Sequence, residues 1–244
     1  GILKKKHNFD NRNFDTALEK RGFYIAKESR ANYMMTFLSL AATLNMDYFK
    51  NDIRVDSKER SIPYQMINNN KVSQYLKNKG YKIVNFKSGW GATNNIESSD
   101  YNYSKHILLG EFHTTFLQTT VLLPIINWIT TKHYTNNVLF TLNNIHKIKI
   151  IRKPKFVFAH IVSPHPPYLF DENGKSISNN IKLNNEWDEY EKKYYLNQLK
   201  FLNKKIKEFV DGILAKSNNS IIILQSDHGP AFLGKDWNTP SDDF

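Results

Sequence analysis

Ile221-Ile222-Ile223-Leu224-Gln225-Ser226-Asp227-His228-Gly229-Pro230 is the stretch on which the reading of the chain turns. Four apolar residues in a row, three of them β-branched, predict a short strand buried on both faces. In open α/β sheets ligands bind at the carboxyl ends of the strands, so this strand would deliver Asp227 and His228 into a site. A carboxylate beside an imidazole at a strand end suits a divalent metal. Gly229 allows a sharp turn and Pro230 stops the strand. An Asp-His pair in a surface turn would have the same sequence, so the rest of the chain has to decide.

The chain has 244 residues, 40% of them hydrophobic and 14% aromatic, enough for a sizeable core. Its formal net charge is +11, which favours anionic partners such as phosphate esters, sulfate esters or lipid head groups. The basic residues are scattered apart from Lys4-Lys5-Lys6, and no stripe of arginine interleaved with aromatics marks a nucleic-acid surface, so no nucleic acid is expected as partner. Cysteine is absent, which removes disulfides, thiolate metal sites and a cysteine nucleophile. The longest apolar run, from Phe116 to Ile129, is too short to span a bilayer and carries Gln118, Pro124 and Asn127.

Outward from the opening stretch, a helix is expected through Phe14, Ala17 and Leu18, capped by Asn11 or Asn13 and closed at Arg21-Gly22. Phe23 to Ala26 reads as a strand. Ser29 to Met46 reads as a helix buried on most sides, with Asn32 as its N-cap and Thr36 in its first turns. The positive end of the helix dipole and free backbone N–H groups lie there, so the Thr36 hydroxyl could bind an anion or act as a nucleophile; a structural threonine is the alternative. Pro63 is expected to start a helix that runs to Lys79-Gly80. A strand follows from Tyr81 to Phe86, then a polar loop from Asn94 to Tyr103; its Asp100, and Trp90 before it, could face a site, but both are read as solvated loop residues. His106 to Ile150 reads as helical, with breaks near Pro124 and at Thr130-Thr131. His106, His113, His133 and His146 have no metal-ligand spacing and are taken as structural.

Pro154 to Val162 is a second strand, with His160 inside it as a satisfied histidine, either in the core or supporting a residue of the site. It runs into Ser163-Pro164-His165-Pro166-Pro167-Tyr168, where the prolines stiffen the loop and hold His165 at a strand end, a setting that favours substrate contact. Asp171 to Gly174 is a turn. Glu186 to Lys216 is a long amphipathic helix with lysines on its outer face, read as packing on a sheet rather than lying on a membrane. It leads into the strand at Ile221, the alternation of a doubly wound sheet. The expected architecture is a single domain over residues 1–244: a three-layer α/β/α sandwich with a mainly parallel sheet.

These pieces, in this order, resemble the sulfatase-like branch of the alkaline phosphatase superfamily, most nearly its lipoteichoic-acid synthase and phosphoethanolamine transferase relatives. Phe9 to Ala26 is similar to the segment after the family's first metal strand. Asn32 to Met46 resembles the nucleophile helix, Phe156 to Tyr168 the segment bearing a substrate-binding histidine, and Ser226 to Gly229 the second metal motif. The resemblance implies an alkaline phosphatase-like fold with Thr36 as nucleophile and as metal ligand through its oxygen. It makes Asp227 and His228 metal ligands and gives His165 contact with the phosphate or sulfate group, or with the leaving group. It implies one divalent ion, manganese or zinc ahead of magnesium, and an anionic phosphate- or sulfate-ester substrate, a lipid head group or glycan among them. Because its relatives sit behind transmembrane helices, it also implies a place on the extracytoplasmic face of the cell membrane, with membrane proximity supplied by parts not in this chain.

Two departures follow from the same comparison. The best-known sulfatases make their nucleophile from a cysteine or serine in a short motif with proline and arginine, and nothing like it surrounds Thr36. The family's further acidic ligand would lie upstream of Gly1, and relatives continue past Phe244. The chain is therefore expected to be a fragment, truncated at both ends, with weakened metal affinity and reduced or absent activity. The rival expectation is a catalytically silent sulfatase-like module that binds an anionic glycan or lipid head group.

Overall fold

The computed structural model describes residues 3–4, 8–49, 60–105, 123–148, 153–177, 189–217 and 219–229. These sort into two units, one drawn from Gly1–Arg30 and Ser163–Ile222, the other from Ala31–Val162 and Ile223–Phe244. Among the sequence expectations, His106 and His113 and the chain beyond Gly229 lie outside the described residues.

In the first unit, helix α1 spans Arg12–Glu19 and buries Leu18. Asn11 occupies the N-cap position, but its side chain makes no capping bond; its Oδ1 accepts from Asn203 Nδ2 at 2.7 Å. The chain turns at Gly22, whose φ of +85° is open to glycine at no steric cost. The segment after it, expected as a strand, is irregular, and Tyr24 is 90% exposed. No described strand pairs with it, and an apolar tetrapeptide without a partner for its N–H and C=O groups gains nothing by extending into a ladder. The long helix near the chain's end covers Glu189–Leu214 in this structure and buries Phe201, Leu202, Phe209 and Val210. Its amphipathic spacing is as expected. Arg21 ties α1 to this helix through Nε to Asp211 Oδ1 at 2.6 Å and a second guanidinium N–H to Oδ2 at 2.8 Å. Gln198, fully buried, accepts at Oε1 from the backbone N–H of Leu169 at 2.6 Å. The turn at Asp171 is present, with its carboxylate accepting from the N–H groups of Asn173 and Lys175.

The second unit holds helix α2 at Thr36–Asn45, α3 at Ser61–Asn68, α4 at Lys71–Asn78, strand β1 at Lys82–Phe86, the short helix α5 at Gly91–Asn94, β2 at Tyr101–Tyr103, helix α6 at Leu123–Asn144 and β3 at Lys155–Ala159. The long helix of the first unit is α7. The sheet has the order β2-β1-β3 and is parallel throughout, with Asn85 opposite Asn102 and Phe158. A central parallel strand is covered on both faces, and Ile83, Val84, Asn85 and Phe86 are all buried. The core beside it is built from Leu40, Ala41 and Leu44 of α2, Ile67 and Ala92, with Tyr64, Trp90 and Phe158 packed against them.

Several expectations change here. The helix expected from Ser29 starts only at Thr36, with Met35 as N-cap in an extended conformation. Asn32 is not the cap; its amide donates to Thr43 Oγ1 at 3.3 Å. Pro63 lies within the first turn of α3 rather than opening it. The single helix expected up to Gly80 is two, because Asn70 ends the first stretch and caps α4 by accepting from the Ser73 N–H at 2.8 Å. Tyr101 to Tyr103, expected as loop, pairs with β1. Pro124 and Thr130-Thr131 lie inside α6 without a break. Asp100 is not a solvated loop residue: it accepts from Lys82 Nζ at 2.6 Å and from the Ile83 N–H at 2.8 Å. Burial alone would push its carboxyl up, but the Ile83 N–H and the Lys82 and Lys77 ammonium groups outweigh it and hold the carboxyl below its ordinary value.

The largest correction concerns the opening stretch. Residues 221–224 form no strand, and Ile221 and Ile223 are 92% and 77% exposed, whereas Ile222 and Leu224 are partly buried. A strand buried on both faces needs a hydrogen-bonded neighbour, and none of the described segments pairs with it.

Candidate functional site

Helix α2 is short, and nearly every side chain on it is buried, from Phe37 through Ala42 and again at Leu44 and Asn45. Packing therefore fixes both its axis and its rotation. Thr36 is its first residue, so its hydroxyl stands at the end where backbone N–H groups lack intrahelical partners and the dipole carries roughly half a positive charge. Arg60 lies over the ring of the next residue, Phe37, with its guanidinium carbon 5.5 Å from the ring centroid.

The turn Ser226 to Gly229 meets that helix end. Thr36 Oγ1 lies 3.1 Å from His228 Nε2, across 192 positions of sequence. The His228 Nδ1–H donates to the Gly229 carbonyl at 2.7 Å. In the neutral ring that bond places the lone pair on Nε2, facing the threonine hydroxyl. Asp227 Oδ2 lies 3.3 Å from the same nitrogen, and both side chains are partly buried. Within the turn the Ser226 hydroxyl donates to the His228 carbonyl at 2.5 Å. From the helix, the Ser39 hydroxyl donates to the Asp227 carbonyl.

A hydroxyl oxygen, a carboxylate oxygen and an imidazole nitrogen thus converge. Ligand atoms bound at about 2.0–2.2 Å to one ion stand about 2.8–3.6 Å from each other across octahedral and tetrahedral geometries. The spacings of 3.1 and 3.3 Å around His228 Nε2 lie in that range, so both are compatible with a shared divalent cation as well as with direct hydrogen bonding. Among the described residues no third carboxylate or imidazole joins Asp227 and His228.

Of the expected site residues, Thr36, Asp227 and His228 come together. His165 belongs to the other unit; it is exposed, and its Nδ1–H donates to the Pro166 carbonyl at 2.5 Å. His160 is the satisfied histidine it was expected to be, though it lies just past the end of β3 rather than inside the strand. Its Nδ1 is 2.8 Å from Thr93 Oγ1, and Trp90 meets it edge-on with ring centroids 5.3 Å apart. Ser39 was not singled out from sequence. Its only signal was a position one helical turn beyond Thr36, on the same face.

The family model described as Sulfatase matches residues 8–244. The chain belongs to the sulfatase family. No curated protein and no solved structure matches it. Membership agrees with the parallel sheet and its helices, an α/β fold of alkaline phosphatase type. It also makes this sulfatase-family chain a hydrolase-type enzyme whose substrate is a sulfate or phosphate ester, an anion matched to the net charge of +11. The family generally uses a divalent metal. No helix among the described residues is long and apolar enough to cross a membrane.

Proposed function

We propose that this sulfatase-family protein is a metal-dependent phosphoryl-group transferase or hydrolase in which Thr36 is the nucleophile. Thr36, Asp227 and His228 would share one divalent ion, manganese or zinc ahead of magnesium because an imidazole is among the donors. The observation that carries the reading is the 3.1 Å approach of Thr36 Oγ1 to His228 Nε2 at the start of α2. His165 keeps the role that the family resemblance gives it, contact with the transferred group or the leaving oxygen. Phosphodiesters and phospholipid head groups are favoured as substrates over sulfate esters, in line with the likeness to lipoteichoic-acid synthase and phosphoethanolamine transferase relatives. The same likeness favours an extracytoplasmic site of action.

The chemistry is a double displacement. The Thr36 oxygen forms a bond to phosphorus as the ester P–O bond breaks, and the departing alcohol takes up a proton. Water or an acceptor hydroxyl then attacks the same phosphorus and releases Thr36. A free threonine hydroxyl is a poor nucleophile at neutral pH; a bound divalent cation would lower its pKa and neutralise charge on the transferring group. The N–H groups at the start of α2 add donors for the phosphoryl oxygens. Asp227 and His228 hold position while the bond to Thr36 is made and broken.

Turnover of a generic aryl phosphodiester by wild type and by Thr36→Ala, each with and without a chelator, tests this. Wild-type activity should disappear with chelator and return with added manganese. Thr36→Ala should lose at least about a hundredfold, the scale on which single groups at a reacting centre act. Equal rates in the two proteins would remove Thr36 as nucleophile, and the catalytically silent, anion-binding module would become the better reading.

A further inference from the structure

Helix α2 holds the Asp227-His228 turn at two points that lie one helical turn apart. Thr36 Oγ1 faces His228 Nε2, and the Ser39 hydroxyl donates to the Asp227 carbonyl. Residues at i and i+3 share a helix face, so one face of one helix meets both residues of the turn. Ser39 is 2% exposed and is flanked along the helix by Phe37, Leu38, Leu40, Ala41 and Ala42, all buried. It is a polar exception in an apolar stretch of helix. A serine inside a helix ordinarily bonds back to the carbonyl four residues earlier or points to solvent. This one reaches instead to a loop 188 positions away.

We propose that Ser39 is the positioning residue of the site: it fixes the peptide between Asp227 and His228, and through it the directions of both side chains. The inference rests on the reading of Asp227 and His228 as ligands. The two contacts differ in one respect that gives Ser39 its role. The Thr36 contact changes during the reaction, because its oxygen gives up its hydrogen and takes the phosphoryl group. The Ser39 bond takes no part in the chemistry, so it keeps helix and turn in register through both halves of the reaction.

The test compares the full chain as wild type and Ser39→Ala, without metal and on titration with Mn²⁺. Alanine is the better helix former, so the folded content and melting temperature should be retained. Long-range ¹H–¹⁵N spectra of the histidines in metal-free protein should show His228 in the Nδ1–H form in wild type and a mixture of tautomers in Ser39→Ala. The apparent Kd for Mn²⁺ should rise about 10- to 100-fold, the usual cost of removing an outer support from a metal ligand. A folded Ser39→Ala with wild-type His228 resonances and wild-type Mn²⁺ affinity would overturn the proposal. If wild type binds no Mn²⁺, the metal reading fails, and the tautomer spectra still decide for or against Ser39. If Ser39→Ala does not fold, Ser39→Thr, which retains the hydroxyl, takes its place: wild-type His228 spectra support the role and altered ones overturn it.

Discussion

Asp100 shows how a single residue can look functional in sequence and prove structural. A carboxylate in a polar stretch near Trp90 could have served a site. Instead it bonds to the Ile83 N–H and to Lys82, at the edge where β2 joins β1. Its carboxyl is held below the ordinary value, so the sign of its contribution is set. The stabilisation is complete above the unfolded pKa of about 3.9 and is lost as pH falls through the lower folded value. Asp100→Asn should therefore lower stability at neutral pH by about 1.5–3 kcal/mol, the range for a hydrogen bond to a charged group. Urea unfolding from pH 7 down to pH 3 should show the gap between wild type and variant closing with acid. A gap independent of pH would mean that the carboxylate's charge is not what stabilises. Thr36 is the opposite case: its place at a helix start marks it in the sequence, and the structure adds its contact with His228.

Among elements, the turn after β3 depends on one backbone conformation. Gly174 has a φ of +86°, and a Cβ there would run into the ring of Phe201 on α7. Phe201 also packs on Phe170, with ring centroids 4.8 Å apart, so the ring cannot simply move aside. Gly174→Ala should destabilise the protein by about 1–3 kcal/mol, through backbone strain and collision together. Thermal melting would show it as a lower midpoint; an unchanged midpoint would mean that the turn is not packed as described. Helices and strands with strong local patterns were legible in the sequence at this scale: α1, the amphipathic α7, and β1 and β3 with their β-branched and aromatic runs. Those that depend on neighbours were not. Tyr101 to Tyr103 is too short and too polar to announce a strand and becomes one only beside β1. Ile221 to Leu224 carries every local mark of a strand yet pairs with none of the described segments. Apolar content predicts burial, but a ladder needs a partner.

At the scale of the whole molecule, family membership spans residues 8–244, while the proposed chemistry draws on residues from opposite ends of the sequence. Thr36, Asp227 and His228 stand out in the sequence because their order and local context resemble a known pattern. Their convergence depends on how α2 is packed, which no local rule predicts. Ser39 was illegible for a physical reason. A small buried side chain on an apolar helix face reads as filler, and only the position of the Asp227 carbonyl gives its hydroxyl a purpose.

The central claim is that the Thr36 oxygen takes the phosphoryl group. The most direct measurement is to mix the manganese-loaded protein with bis(p-nitrophenyl) phosphate, quench in acid during turnover and map the peptides by mass spectrometry. The account predicts a nitrophenyl-phosphoryl adduct on Thr36, with one nitrophenolate released for each adduct formed, and no adduct in Thr36→Ala. Turnover that continues in Thr36→Ala, or an adduct on another side chain, would contradict it.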